Sequence, residues 1–369
     1  MKVLMMGDAS AFHANLAIGL RRMGHDVTVA SDGTRWMKTR RDIDLSRTAD
    51  KAGGALLWFK MSGKTGRELS GYDIVHISSP SFITLKPCRL AKILRKIKAN
   101  NGLLIYSAIG SDSDYVRNCL YGTPPEQKYS EWMPPTNLYL PRWNPAAEAE
   151  GWLARDLTDY TDEFYATVDG AVSALYEYHR VIAAMHPAMP LAYCGIPVDT
   201  SAMPQHTPGD GPLRILYAAH KGREPEKGAD ILLDILSRIE KEMNDTITVE
   251  TPENVPYNQF VARLAQYDIV ADQLFSYTPA TTALMAMAMG VVPISGGEPE
   301  FYDFIGEREL RPIFNPDPTN IDGTYRRLKE LLSDRDAIRL MAEQGREFVR
   351  RHNDVDIVAR RVSDFWETL

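Results

Sequence analysis

Past the apolar run Leu213–Ala218 the chain reads His220-Lys221-Gly222-Arg223-Glu224-Pro225-Glu226-Lys227-Gly228 and then turns helical. Cations held in a glycine-containing loop just beyond a strand suit a diphosphate: a guanidinium such as Arg223 grips oxygens as a fork, and an ammonium such as Lys227 acts as a point charge. A solvated turn, with Glu224 and Glu226 as counter-charges, would use the same letters. The phosphate reading is preferred because the carboxyl ends of strands open into the crevice where α/β sheets bind ligands. Downstream, Ser276, Tyr277 and Thr278 precede a helix, where small and hydroxyl residues offer caps and free N–H groups to an anion. In Gly296-Gly297-Glu298-Pro299-Glu300 the glycines admit a ligand to the backbone, and Glu298 and Glu300 can take sugar hydroxyls; a turn followed by an acidic helix start explains the same pattern. Near the start, Gly7-Asp8-Ala9-Ser10 joins a strand to a helix, so Gly7, Asp8 and Ser10 border an anion-binding N-terminus, although a full GxGxxG is absent. His13, one turn inside that helix, either hydrogen-bonds a substrate or packs.

These residues need a frame. Over the first 110 residues, short apolar runs alternate with helical patterns: Val3–Met6, Ala14–Met23, Val27–Ala30, Ala55–Phe59, Ile74–Ser78, a helix within Lys86–Ala99, and Leu103–Ser107. That rhythm predicts a parallel α/β sheet. Gly24 and Gly102 fit helix ends. From Tyr121 to Pro145 prolines and aromatic residues, among them Trp132 and Trp143, form a long loop that either covers a cleft or packs on the surface. An acidic helical stretch, Ala146–Ala166, leads to Gly170–Ser173 and Leu191–Tyr193, and Asp199–Pro212 reads as a linker. A second rhythm then runs through Leu213–Ala218, Ala229–Glu242, Thr246–Val249, Asn258–Gln266, Ile269–Ala271, Ala280–Met289 and Val291–Ser295 before a helical finish. The reading is α/β: two Rossmann-like doubly wound parallel-sheet domains, 1–200 and 201–350, facing a central cleft, with 351–369 as a closing helix.

Composition narrows the partners. With 44% hydrophobic and 25% charged residues the chain has an ordinary globular make-up, which excludes disorder as its main state. No stretch is long and apolar enough to span a bilayer, and Met1–Met6 runs into Gly7-Asp8, too short for a signal core, so a cytoplasmic protein is expected. Cys88, Cys119 and Cys194 lack the spacing of a disulfide framework or zinc site. The net charge of −7 hides an asymmetry: residues 1–100 carry 18 Lys+Arg against 8 Asp+Glu, so this part should face something anionic. Within Lys86–Ala99, Leu90, Ile93, Leu94 and Ile97 form one stripe between Arg89, Lys92, Arg95, Lys96 and Lys98. Such a helix either lies peripherally on an anionic membrane, here its inner face, or is a Rossmann helix with a solvated basic side, the commoner case. Nucleic acid is not expected, since no stacking platform accompanies the charge.

Taken together the pattern resembles the GT-B glycosyltransferases, in particular the large retaining class of the group 1 or family 4 type that includes sucrose synthases and many bacterial cell-surface polysaccharide enzymes. The likeness covers nearly the whole chain. It rests on Gly7, His13, Leu16-Ala17, Leu20, Gly24-His25 and Val27; on Asp73-Ile74-Val75-His76-Ile77; on Gly195-Ile196-Pro197-Val198-Asp199; on Arg223 with Lys227-Gly228; and on Ala286-Met287-Ala288, Gly290 and Gly296-Gly297-Glu298-Pro299-Glu300. It implies an acceptor-side first domain, a donor domain after it, and a final helix that crosses back to the first. It implies a nucleotide-sugar donor as co-substrate, no cofactor, no obligatory metal, and a glycan or lipid-linked acceptor. Arg223 and Lys227 would hold the departing diphosphate, Gly7 and its neighbours would approach the same phosphates, and His13 would lie near a sugar. Two departures stand out. The family's two glutamates, with seven residues between them, fall on Tyr277 and Met285, and the histidine often found after the fifth strand is missing from Tyr106–Asp112. A thioether cannot replace a carboxylate on a ribose. The rival expectation is therefore a non-catalytic GT-B relative serving as a binding partner of another transferase. An epimerase on the same fold would need a carboxylate and histidine set that these motifs do not assemble.

Overall fold

A computed structural model describes residues 1–34, 37–121, 147, 149–218, 227–243, 245–251 and 255–369. Arg223, the loop at 122–146 and most of the cation segment 219–226 lie outside the described residues. The described residues divide into two compact units, one made of 1–121, 149–197 and Val355–Leu369, the other containing Val198–Asp354.

The first unit is built on seven parallel strands: β1 (Lys2–Met6), β2 (Asp26–Ser31), β3 (Ile43–Asp44), β4 (Ile74–Ile77), β5 (Leu103–Ala108), β6 (Gly170–Ser173) and β7 (Leu191–Tyr193), in the order β3-β2-β1-β4-β5-β6-β7. Its helices are α1 (Phe12–Arg22), α2 (Lys51–Ser62), α3 (Lys64–Glu68), α4 (Pro87–Asn100), α5 (Ser113–Tyr121), α6 (Arg155–Thr167), α7 (Tyr176–Met185) and, from the far end of the chain, α14 (Val355–Trp366). Central strands are apolar on both faces because helices cover both; Val3–Met6 and Ile74–Ile77 are buried throughout. Strand order reverses direction between β1 and β4, so the turn after β1 lies at the switch point where such sheets bind ligands.

Two local expectations change. The run Ala55–Phe59 is not a strand; it belongs to α2, which Asp50 starts by accepting the Gly53 amide at 2.6 Å, and only Leu57 of its large apolar residues is fully buried. Gly102 is not the cap of α4 either, since that helix stops at Asn100 with Asn101 as the cap.

The second unit has four parallel strands, β8 (Leu213–Tyr217), β9 (Ile247–Glu250), β10 (Ile269–Ala271) and β11 (Val292–Ile294), ordered β11-β10-β8-β9. Around them lie α8 (Ala229–Glu242), α9 (Tyr257–Leu264), α10 (Thr281–Met289), α11 (Pro299–Ile305), α12 (Ile321–Leu332) and α13 (Arg335–His352). Its switch point falls between β8 and β10, and the loops after those two strands carry Lys227 and Asp272. Among the described residues no helix is long and apolar enough to cross a membrane.

Candidate functional site

In the second unit the cation segment is pinned at Lys227. Its carbonyl accepts the Leu274 amide at 2.8 Å, and Gly228 sits at φ 66°, where a Cβ would stand 2.7 Å from the Phe275 ring. Only glycine fits there. The Lys227 ammonium lies 3.3 Å from the buried Asp272 carboxylate, whose other oxygen meets the Ser295 hydroxyl at 3.4 Å. Asp272 therefore aims the lysine and cancels much of its field, so attraction of a diphosphate needs a second cation. The loops after β10 and β11 are joined: Ser276 donates to the Thr278 carbonyl at 2.6 Å, and the Glu298 amide donates to the Tyr277 carbonyl at 3.1 Å. Asn315 fixes Glu298 from the side, donating to its Oε1 at 2.9 Å and accepting the Gly297 amide at 3.1 Å. The N-cap residue of α10, Ala280, makes no side-chain cap hydrogen bond. A cavity of about 640 Å³ opens beside Gly297 and Asn315 toward Arg311 and Arg327, on the side of α11 to α13, and Lys227 does not line it.

In the first unit the turn after β1 is filled from within. The Asp8 carboxylate accepts the His13 amide at 2.9 Å and the Thr39 hydroxyl at 3.1 Å, occupying the place at the α1 N-terminus that a phosphate would take. Burial pushes its pKa up to about 6, against the lowering effect of these bonds. Behind it runs a buried chain of hydrogen bonds. The Trp366 indole donates to His76 Nε2 at 2.9 Å, and an indole can only donate. Neutral His76 thus keeps its proton on Nδ1 and donates to Ser107 Oγ at 2.9 Å. The hydroxyl then donates to His13 Nε2 at 3.0 Å, and His13 Nδ1 donates to the Gly7 carbonyl at 2.7 Å. Burial lowers His13 to about 4 and His76 well below its usual range, so both rings stay neutral.

No protein-family model matches the chain, and no curated protein matches it in sequence. Solved structures do. Sucrose-phosphate synthase from Thermosynechococcus elongatus is 11% identical and aligns with a TM-score of 0.64 over 100% of this chain and 99% of its own. The Anabaena protein HepE, solved with UDP-glucose, is 12% identical, with a TM-score of 0.62 over all of both chains. A Listeria monocytogenes protein assigned as a UDP-N-acetylglucosamine 2-epimerase is 13% identical, with a TM-score of 0.56 over 98% of this chain and 94% of its own. The chain has the GT-B fold.

Within that fold, Lys227, Ser276, Tyr277, Thr278, Glu298 and Glu300 come together on the loops at the carboxyl ends of β8, β10 and β11. Tyr277 and Thr278 are buried; Glu298 and Glu300 keep part of their surface in solvent. Gly7, Asp8, Ser10 and His13 gather at the β1 turn, where Ser10 is exposed at φ 51° and His13 is fully buried with both ring nitrogens engaged. Met285, at the position where the GT-B glycosyltransferases resembled above carry the second glutamate, is a core residue packed with Leu216, Leu264 and Val270, its sulfur accepting from the Tyr257 hydroxyl at 3.4 Å. Sequence reasoning missed Asp272, Asn315, Ser107 and His76 as organisers. For His76 the signal was available, since an imidazole in the middle of an apolar central strand must find buried partners.

Proposed function

We propose that the protein transfers a sugar from a nucleotide-sugar donor to a glycan or lipid-linked acceptor, with retention and without an obligatory metal, as in cell-surface polysaccharide assembly. The observation that carries this reading is the fixed ammonium of Lys227, locked by its own carbonyl and by Asp272 at the switch point of the four-stranded sheet. Negative charge gathers on the leaving diphosphate as the glycosidic bond breaks. Cations and helix amides already in place at that oxygen lower the barrier because they need no reorganisation, and removing one such group typically costs about 10²–10³ in rate. Arg223 would supply the forked second cation, the start of α10 the amides, and Glu298, held by Asn315, a partner for donor hydroxyls. That HepE was solved with UDP-glucose supports a uridine donor as the first to try.

Calorimetric titration with a panel of nucleoside diphosphates, followed by product analysis with matching nucleotide sugars, tests the reading. Arg223→Ala and Lys227→Gln should each weaken diphosphate binding and cut turnover. Because Lys227→Gln leaves a buried carboxylate unpaired, Lys227→Gln/Asp272→Asn serves as the folded control. Unchanged binding and turnover in both cation variants would refute the assignment. Binding with no transfer would favour a non-catalytic partner instead, the reading that a thioether at Met285 motivates.

A further inference from the structure

We propose that the α2–α4 face of the first unit docks on an anionic phospholipid bilayer, with Leu56 and Phe59 of α2 as its apolar wedge. Between Lys51 and Lys60 the helix α2 is apolar at every position, on its outer face as well as its inner one. Gly53, Gly54, Leu57 and Met61 turn inward, while Ala52, Ala55, Leu56 and Phe59 occupy one outer stripe at i, i+3, i+4 and i+7; Leu56 is 69% and Phe59 71% exposed. A surface helix normally turns polar residues to water, and adjacent large apolar side chains left in solvent mark a contact surface.

Charge selects the occupant. On α4, Arg95 and Lys98 are neutralised by Glu163 and Asp169, whereas Lys86, Lys92 and Lys96 are exposed and enter no ion pair among the described residues. Where α2 and α4 begin, a groove of about 600 Å³ is lined by Arg47, Lys51, Lys86 and Arg89. Its single carboxylate, Asp50, is already engaged by the Gly53 amide and the Thr48 hydroxyl. Arg89 is held there by the Gly54 carbonyl at 3.1 Å and by the Trp58 ring. An apolar wedge, unneutralised lysines and a recess of cations sized for a headgroup phosphate are what interfacial binding requires. The apolar stripe of α4 itself cannot insert, because Leu90, Ile93, Leu94 and Ile97 are buried in the core. The anchor is thus a different helix from the one its charge pattern singles out.

This surface deepens the lipid-linked-acceptor reading and rests on it for its purpose, so the test is run without donor. The full-length chain is sedimented with vesicles of phosphatidylcholine alone and of phosphatidylcholine with phosphatidylglycerol, at low and high salt. Binding is expected to the anionic vesicles only and to weaken with salt. L56Q/F59Q should reduce it about tenfold or more, and each of Lys92→Gln and Lys96→Gln about fivefold, with melting temperatures unchanged because all four side chains are exposed. No binding to anionic vesicles overturns the proposal, as does undiminished binding by L56Q/F59Q, or a dimer that L56Q/F59Q dissolves. Calorimetry with UDP on the same preparations separates the two readings: a chain that binds UDP but no vesicle loses only this surface, and one that binds vesicles but no nucleotide keeps it while the transfer reading fails.

Discussion

Removing one oxygen from Ser107 should cost far more than a serine hydroxyl usually does. Ser107 is fully buried and stands between two histidines, accepting from His76 and donating to His13. In Ser107→Ala, His76 Nδ1–H faces no acceptor and His13 Nε2 no donor, in a space that a methyl group cannot satisfy. Each buried polar atom left without a partner costs about 1–3 kcal/mol, so the variant should lose about 2–5 kcal/mol after some relaxation. Neither ring can escape by switching tautomer, since the Trp366 indole holds His76 Nε2 and the Gly7 carbonyl holds His13 Nδ1. Urea unfolding gives the total, and hydrogen exchange of the β1 and β5 amides localises the loss to the first unit. Nitrogen chemical shifts supply a second readout: in the wild type both histidines should be protonated on Nδ1, the minor form of free imidazole. A loss below about 1 kcal/mol, or a His76 protonated on Nε2, would refute the proton-ordered chain.

The same groups set a pH dependence. Histidines with lowered pKa bind protons less readily folded than unfolded, so stability should fall as pH drops from about 6.5 toward 4, by about 1.4 kcal/mol per pH unit for each histidine involved. Asp8, raised to about 6, acts oppositely in the window from about 6 down to 3.8, and Asp8→Asn should therefore steepen the acid limb measured by urea titration. Gly228→Ala forces a side chain into positive φ against Phe275; a loss of about 1–3 kcal/mol together with weakened diphosphate binding is expected, and calorimetry would read the second effect. Met285→Glu buries a carboxylate among Leu216, Leu264 and Val270, and should cost several kcal/mol without improving nucleotide affinity; a stable variant that binds UDP more tightly would show that the side chain can reach the ligand after all.

What was legible in the chain was whatever local chemistry dictates. Strands covered on both faces announce themselves as apolar runs, so β6 and β10 were readable to the residue, as was the short half-buried β7, and glycines at positive φ marked the turns after β1 and before α8. The loops after β8, β10 and β11 were legible as loops for the same reason, since Lys227, Ser276 and Glu298 sit next to turn residues at strand ends. What was not legible depends on side chains far apart in sequence meeting in space. Trp366 and His76 are 290 residues apart, and nothing local to either says that one fixes the other's tautomer. Nor does the segment after β1 disclose that Asp8 folds back onto the helix it precedes, because an acid near a helix start reads equally as solvent-exposed dipole compensation. The error at Ala55–Phe59 has a different origin. Five consecutive apolar residues fit a buried strand, and periodicity cannot separate that from a helix apolar on every side; the deciding fact is Asp50, placed to cap a helix that starts before the run. The inner stripe of that helix, Gly53, Gly54, Leu57 and Met61, holds it to the core while Leu56 and Phe59 stay in water, which is why the same misread segment supplies the proposed membrane wedge.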